Sequence, residues 1–549
     1  MTSSLSLEDY LRRIIYVNNT HNDYYVGDPD KYRKEISSQR HSTIDSAIEN
    51  ELKEVFSVLD AANSDKNLPS RSTIFMFLGQ LLHHEKMTPT LKSQVTAKVL
   101  QLCQSDEDFF DFIKYYTQLR KNCKLPSSVE KIVKKYYTKK SSLELAQSFA
   151  QFNSLHTWTH KDLIKLAHVK PDTTLKDAVI KYILKKQPND RANEEEQKVM
   201  DILRKTTELR STTEAVNAVP LLAELKLTIK QVSPSLHQNL EVWSAAIENM
   251  KIQEILPHLE KLYKLGLLKP SCEPNISNQL INIFTSPDTV KASGVHPIEV
   301  FTYMKRLEKG GKPLDPKLVH HLQNDKKISE ENLKKATVRT EAKCIHILNA
   351  LHKCFNLACN NVSPTNKRYL VTIDVTDQAK KAQCMGNKAL TSLEVAAAYT
   401  LVLLRVEKDV FIGTFKDDKV CVHSITKKIS YADLLKKISA ETSTSSMVWS
   451  SIDWATSHKK NIDVFVNFID SHFFANFIKE KKREPYFQSI TDYRKKMNVP
   501  NSKFLIFYTD DRINCRVVGR DEMSNVLDVN GFDYLACKVA ESFSRGAFC

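Results

Sequence analysis

The chain has 549 residues, of which 42% are hydrophobic and 26% are charged, and its formal net charge is +15. This length excludes a single hydrophobic core, the ordinary composition excludes wholesale disorder, and a count of only 11 glycines disfavours an all-β protein rich in tight turns. The positive charge favours a polyanionic partner, such as nucleic acid or an acidic membrane surface.

From the start to about residue 365, apolar residues recur at the spacing of a helix. Segments such as STIFMFLGQLLHH and LKSQVTAKVLQLC place apolar residues at i, i+3, i+4 and i+7, which is typical of an amphipathic helix with one buried face. Successive helix pairs without one central core favour an α-solenoid, in which units of ~40–47 residues stack on their neighbours. Residues 1–365 are therefore predicted to form a HEAT-like helical repeat.

The pattern changes near residue 365, where short apolar strands begin to alternate with helices. The predicted strands are KRYLVTIDV, DVFIGTF, KVCVHSI, VFVNFID and KFLIFYT, and helical segments such as TSLEVAAAYTLVLLRVE and SYADLLKKISA lie between them. Near-continuous apolar strands separated by helices are typical of a mostly parallel sheet that is covered on both faces. Residues 366–549 are therefore predicted to form a doubly wound α/β domain.

The segment TWTHKDLIKLAHVKPD predicts a short helix that Thr159 caps and Pro171 ends. Its basic side chains share one face, and the next helix, LKDAVIKYILKK, adds more lysines. We call the combined surface the basic ridge, and it consists of Trp158, Lys161, Lys165, His168, Lys170, Lys176, Lys181, Lys185 and Lys186. Such a surface suits phosphate groups and an unstacked base, although a solvated helix face with a capping histidine is the alternative.

Two other basic segments have simpler explanations. KIVKKYYTKK, residues 131–140, combines five lysines with two tyrosines, a composition that single-stranded nucleic acid prefers, but tyrosines at helical spacing are usually packing residues. FTYMKRLEKGGKP, residues 301–313, ends a helix with cations that complement the helix dipole.

Acidic side chains follow two predicted strands of the second domain. Asp374 ends the strand in YLVTIDVTDQ, Asp470 ends VFVNFID, and ligands of open α/β sheets bind beyond the carboxyl ends of the strands. Thr376 and the serines of ETSTSSMVW, residues 441–449, can add hydroxyl groups. Two acids with hydroxyls suit Mg²⁺, whereas the alternative is that these acids cap helices and bind loop amides.

The cysteines and the termini predict the compartment. Eleven cysteines are scattered without a CxxC pair or a Cys/His ligand spacing, which predicts free thiols in a reducing cytosol. The opening MTSSLSLEDYLRRIIYV places acids and arginines before any apolar run, and no window approaches the length of a membrane span. We therefore expect a cytoplasmic protein, with the nucleus as a further location, and no membrane partner.

Together these segments resemble the 60-kDa Ro ribonucleoprotein family. HTWTHKDLIKLAHVKP is similar to the family's W-S-H-K-D-L-L-R-L-S-H-L-K-P, and GVHPIEVFTY is similar to its I-H-P-F-H-I-L. SPTNKRYLVTIDV matches the P-T-G-K-R-F-L-L-A-V-D-V that begins the family's second domain, and VFVNFID, DYRKKMNVP and NGFD follow in the family order. Several motifs in one order over two domains are more specific than any single motif.

The resemblance implies a closed ring of helical repeats, the TROVE module, over residues 1–365, with a von Willebrand factor A-like domain over 366–549 joining its ends. It also implies an RNA-binding protein without a catalytic step. Small noncoding Y RNAs would bind the outer basic surface, and the single-stranded 3′ ends of misfolded RNAs would enter the central hole. We further expect a monomer whose additional partners are RNA-processing proteins.

Individual family positions carry over with differences. The histidine that contacts Y RNA corresponds to His168, whereas the family's two basic residues just upstream correspond to Gln151 and Leu155. Losing two cationic phosphate contacts weakens binding and flattens its salt dependence. The family's metal pattern, D-x-S-x-S with a later threonine and aspartate, corresponds here to Asp374, Thr376, Gln378, Ser446 and Asp470. Because Gln378 replaces a small hydroxyl side chain, the resemblance implies a weakened Mg²⁺ site.

Two alternatives stay open. The neutral side chains Gln151, Leu155 and Gln378 favour a protein-interaction adaptor that has kept the fold and lost specific RNA binding. A metal-dependent nuclease using Asp374 and Asp470 is the other alternative, but no general base is identifiable beside them. No catalytic residue is therefore predicted.

Overall fold

The structure, a computed structural model, describes residues 5–18, 23–27, 42–118, 125–152, 154–186, 194–269, 271–309, 344–417, 419–469, 483–510 and 524–549. A mostly helical region comes first, and a region that alternates strands and helices follows from residue 368, as the sequence predicts.

The first region packs amphipathic helices side by side, each with an apolar face turned inward. Its helices are α1 (Leu7–Val17), α2 (42–49), α3 (Lys53–Ser64), α4 (Ser72–His83), α5 (Pro89–Leu102), α6 (Asp106–Gln118), α7 (Ser127–Lys139), α8 (Ser142–Gln151), α9 (His160–Leu166), α10 (Thr174–Ile183), α11 (Glu194–Ser211), α12 (Ala215–Leu225), α13 (Leu240–Glu248), α14 (Ile252–Ile255), α15 (Leu259–Lys264), α16 (Ile276–Thr285), α17 (Pro287–Ser293), α18 (Pro297–Glu308) and α19 (Ile345–Ala358). Short 3₁₀ turns join several of them, for example Ile229–Gln231 and Pro234–Leu236.

The second region is built on a seven-stranded sheet. Its strands and helices are β2 (Arg368–Ile373), α20 (Asp377–Lys381), β3 (Gln383–Cys384), β4 (Asn387–Thr391), α21 (Ser392–Val406), β5 (Asp409–Lys416), β6 (Lys419–His423), α22 (Tyr431–Ser439), α23 (Trp449–Ser457), β7 (Val464–Ile469), α24 (Arg483–Met497), β8 (Lys503–Tyr508), β9 (Val526–Asn530) and α25 (Tyr534–Arg545). The order across the sheet is β1-β9-β8-β7-β2-β5-β6, in which β1 is Asp23–Tyr25. All neighbours are parallel except β5 and β6, which form a hairpin.

The two faces of this sheet contribute to different cores. One face packs into a cluster that extends from Leu11 in the helical region to Phe548 at the end of the α/β domain. The other face packs under α23 and α24 in a separate cluster that includes Phe465 and Tyr486. A parallel sheet that is buried on both faces needs apolar strands, which explains the near-continuous apolar runs in the sequence.

In the described part of the chain, every strand but one lies after the predicted boundary at residue 365. The short strand β1 comes from the helical half but pairs in parallel with β9, in the register Tyr24↔Val529. A three-residue strand has too little pattern to be recognised in the sequence, so its place at the edge of the seven-stranded sheet was not predicted. The small β3–β4 hairpin was not predicted either.

Both ends of the helical array contact the α/β domain. Helix α1 packs on α25, and at the other end α18 packs on α19, α21 and α25. Because neighbouring helices are in contact along the array between these ends, the contacts form a closed circuit. Among the described residues, no helix combines the length and hydropathy that crossing a membrane requires.

Candidate nucleic-acid interface

Helix α9, the first helix of the basic ridge, begins where the sequence predicts. Thr159 is the N-cap, its hydroxyl accepts the Asp162 N–H at 3.1 Å, and the Asp162 carboxylate accepts the Thr159 N–H at 3.3 Å. This is a capping box, which satisfies two N–H groups that an isolated helix start leaves unpaired. On the opposite face Leu163 is buried, whereas Leu166 is 37% exposed, because α9 ends after only two turns.

The end of α9 places His168 on the surface. His168 has a left-handed backbone conformation (φ +50°), and the next N–H, of Val169, donates to the Ile164 carbonyl oxygen at 3.2 Å. This six-residue closure is a Schellman motif. Helix α10 ends in the same way, with Lys185 at φ +61° and the Lys186 N–H donating to the Lys181 carbonyl oxygen at 2.8 Å. The ends of α9 and α10 therefore each place a basic residue, His168 and Lys185, beside the last carbonyl groups of the helix, where positive charge is favourable.

Most of the ridge is open to solvent. Lys181 is half-buried and pairs with Asp177 at 2.8 Å. Lys161 is half-buried as well. The exposed members, none of which forms an ion pair with a described carboxylate, are Lys165, His168, Lys170, Lys185 and Lys186. These five side chains are free to bind an external anion.

Two predicted ridge residues are less accessible than the exposed members. Lys176 is buried, and its ammonium group donates to the Thr138 carbonyl oxygen (2.9 Å) and pairs with Asp172 (2.7 Å). Its predicted exposure on the ridge is therefore wrong, because the adjacent helix α7 supplies a carbonyl group that the sequence pattern does not reveal. Trp158 is half-buried against the core, and its backbone forms two 3.0 Å hydrogen bonds with Leu155.

A buried network of polar side chains packs against the inward-facing side of α9. The Tyr137 hydroxyl and the His160 Nδ1 atom lie 2.9 Å apart, and the His160 ring meets Phe110 edge-on. Burial lowers the pKa of His160 to about 4, so this imidazole is neutral at pH 7. Beside it, the Asp106 carboxylate accepts hydrogen bonds from Tyr136 and Ser148 and pairs with Lys140 at 3.0 Å.

The two tyrosines of KIVKKYYTKK belong to this buried layer. Tyr137 is fully buried, and Tyr136 stacks on Phe109 with ring centroids 3.6 Å apart. The packing interpretation of this segment is therefore the right one.

The positions upstream of α9 that are basic in the resembled family are neutral here. Gln151 is exposed at the end of α8, and Leu155 packs against the core. A cation that the sequence analysis missed lies close by: Arg210 of α11 donates to the carbonyl oxygens of Phe149 (2.6 Å) and Ala150 (3.0 Å). Burial lowers the pKa of Arg210 to about 10, and the half-buried guanidinium caps the end of α8 rather than facing solvent.

Of the predicted metal residues, Asp374 directly follows β2 at the carboxyl end of the sheet, as expected, but its carboxylate already accepts two hydrogen bonds. One Asp374 oxygen accepts the Thr376 N–H (2.8 Å) and the other accepts the Ser446 hydroxyl (3.0 Å). Thr376 caps α20 and Gln378 is exposed, whereas Asp470 lies outside the described residues. These contacts match the loop-organising alternative. No group of three or more metal-ligating His, Cys, Asp or Glu side chains occurs in the described part of the chain.

Comparisons with known proteins agree with this architecture. The family model described as the Ro60 vWA domain matches residues 368–544. The RNA-binding protein RO60 of Deinococcus radiodurans is 23% identical over 406 residues, which cover 73% of this chain and 69% of that protein. The RNA-binding protein RO60 of Caenorhabditis elegans is 22% identical over 504 residues, which cover 81% and 71%.

A solved structure has the same fold. The crystal structure of the Deinococcus radiodurans RO (RSR) protein superposes with a TM-score of 0.76 at 18% identity, covering 99% of this chain and 100% of that one. The predicted fold class, a helical region followed by a von Willebrand factor A-like domain, is confirmed, and so is the resemblance to the Ro family.

Proposed function

We propose, on the premise that the chain is a divergent relative of the Ro60 proteins, that it binds RNA and works without a catalytic step. The observation that carries this proposal is the exposed, unpaired set Lys165, His168, Lys170, Lys185 and Lys186 at the ends of α9 and α10. The net charge of +15 and the similarity to two RNA-binding RO60 proteins support it.

The proposed RNA is a small, structured noncoding RNA of the Y type, held along the basic ridge. Phosphate groups would replace water around the exposed ammonium groups and release condensed counterions, which drives binding at low salt. The rigid layer beneath α9, centred on His160 and Asp106, would keep the ridge in one geometry and so reduce the entropy lost on binding.

We further propose that the helical ring receives the single-stranded 3′ ends of misfolded RNAs, which would make the protein a sensor in RNA quality control. The closed circuit of contacts through α1, α25 and α18 supports a ring rather than an open solenoid. RNA-processing proteins are the proposed further partners, and a cytoplasmic location, with the nucleus as an additional one, stays part of this proposal.

The test is a titration of the full chain into a labelled hairpin RNA, with and without a single-stranded 3′ extension, at two salt concentrations. We expect Lys165→Ala/His168→Ala to weaken binding at least tenfold, because a charge-assisted hydrogen bond contributes about 1.5–3 kcal/mol. The matched control is His458→Ala/Lys459→Ala, since these exposed residues also end a helix and Lys459 also has φ +50°. Equal affinities for both double variants would contradict the proposed interface.

An adaptor that binds proteins instead of RNA is the second candidate. The observation that favours it is that Gln151 is neutral and exposed and that Leu155 packs on the core, so neither can contact a phosphate as a cation. Native particles would then contain no stoichiometric RNA, and the ratio of their absorbance at ultraviolet wavelengths typical of nucleic acid and protein distinguishes the two functions.

A further inference from the structure

A cavity of about 650 Å³ lies where the end of the helical region meets the α/β domain. Helices α18 and α19 form one wall, and α21 and α22 form the other. The volume lies within the range of about 300–1,000 Å³ that small-molecule sites usually have. None of its lining residues belongs to the basic ridge.

The polar part of the lining is strongly cationic. Its basic side chains are Lys305, Arg405, Lys428 and Lys436, and Glu308 is the one acid among the lining residues. Glu308 is already paired with Lys305 at 2.6 Å, and Lys305 also lies 5.0 Å from the centre of the Tyr431 ring. The positive charge of the other three side chains is therefore not balanced within the cavity.

Arg405 has hydrogen-bonding capacity that the protein does not use. Its Nη2 atom donates to the Ile429 carbonyl oxygen at 2.6 Å, whereas Nη1 is buried and has no hydrogen-bond partner in the described part of the chain. A buried donor without an acceptor is unfavourable, so an anion that accepts from it would be stabilised. Lys428 and Lys436 are exposed and form no ion pair with a described carboxylate, which leaves both ammonium groups available to the same anion.

The rest of the lining is apolar and suits a flat ring. The half-buried Leu435 and the buried side chains Phe355, Leu401 and Tyr431 form the apolar part of the wall. Partial burial and the Lys305 charge lower the pKa of His352 below its usual range, so this imidazole is neutral at pH 7. A ligand that fills the cavity therefore needs both an anionic group and a planar, weakly polar body.

We propose that this cavity binds a nucleotide unit, with the phosphate at Arg405, Lys428 and Lys436 and the base against Phe355, Leu401 and Leu435. The nucleotide is either a free mononucleotide or one unit of an RNA chain, because both present the same chemistry. This site lies at the junction of the two regions, so its occupancy would stabilise their contact through α18 and α21. The inference does not depend on RNA binding at the ridge.

The experiment is calorimetric titration of the full chain with four probes: AMP, adenosine, inorganic phosphate and a short unstructured oligoribonucleotide. The test variant is Lys428→Glu/Lys436→Glu, which leaves the half-buried Arg405 in place and changes exposed side chains only. The matched control is Lys353→Glu/Lys437→Glu, which reverses two exposed lysines on α19 and α22 that do not line the cavity. Arg405→Gln is the second test variant.

We expect AMP to bind more tightly than adenosine or phosphate, and its affinity to fall at least tenfold, about 1.4 kcal/mol, in both test variants but less than twofold in the control. A fall seen with the oligoribonucleotide alone would support the same site with RNA as the source of the nucleotide. If the test variants and the control have the same affinity for AMP and the same affinity for the oligoribonucleotide, the inference is overturned. Lys165→Ala/His168→Ala should leave AMP affinity unchanged, so a failure of the ridge proposal is distinguishable from a failure of this one.

Discussion

The contact between His296 and Glu541 joins the end of the helical array to the last helix of the α/β domain. His296 is the N-cap of α18: its Nδ1 atom accepts the Ile298 N–H at 3.2 Å, so its Nε2–H donates to the Glu541 carboxylate at 3.1 Å. Both side chains are buried, with 7% and 8% of their surface exposed. Replacing His296 by alanine removes a helix cap, at about 1 kcal/mol, and a charge-assisted hydrogen bond, at about 1.5–3 kcal/mol.

We therefore expect His296→Ala to lower the local opening free energy of α18 and α25 by about 3 kcal/mol, measured by native-state hydrogen exchange. Ser286→Ala is the matched control, because Ser286 also caps a helix that has proline at its first position, whereas its hydroxyl makes no hydrogen bond to the α/β domain in the described residues. It should cost only about 1 kcal/mol. If the two substitutions cost the same, or if α25 keeps its protection in His296→Ala, the contact does not hold the helical region to the α/β domain.

Three further outcomes follow from the structure. Lys176→Ala should lower the free energy of unfolding by about 1–2 kcal/mol and leave RNA affinity unchanged, because Lys176 is buried and paired. Lys165→Ala should weaken RNA binding and leave the free energy of unfolding unchanged, because Lys165 is exposed. Thermal melting and RNA titration of both variants check this. The pKa of His160, lowered to about 4, means that the unfolded chain binds a proton more readily than the folded one between pH 6.5 and 4, so stability should be lost as pH falls through this window, and His160→Gln should reduce the loss between pH 7 and pH 5 by roughly 2 kcal/mol; melting curves at these two pH values measure it. Mg²⁺ should change the melting temperature little, since both Asp374 oxygens already accept hydrogen bonds, and a clear increase that Asp374→Asn abolishes would reveal a working metal site instead.

Local features were predictable because their causes are local. The capping box at Thr159 depends on residues three positions apart, and the strands around Tyr369 and Phe465 have an apolar pattern that only a sheet buried on both faces explains. The strands β5 and β6 lie where the two apolar patterns DVFIGTF and KVCVHSI predict them.

The failures have tertiary causes. Lys176 has the helical spacing of an exposed residue, but the Thr138 carbonyl of another helix and the Asp172 side chain enclose its ammonium group. Leu166 has the spacing of a buried residue, yet α9 is too short to be covered along its whole length. Ser446 engages Asp374 across 72 residues of chain, and no sequence pattern reveals whether a carboxylate accepts a hydroxyl group or binds a cation.

The pairing of β1 with β9 also bears on how the chain is made. Tyr25 of β1 lies beside Asn530 of β9, so β1 cannot pair until the ribosome has synthesised about 500 further residues. At typical ribosomal rates of about 5–20 residues per second, the segment around Tyr24 spends roughly 25–100 s without its place in the sheet. During that interval its unpaired N–H and C=O groups can pair with other strands, which makes this short segment a place where a chaperone would protect the nascent protein.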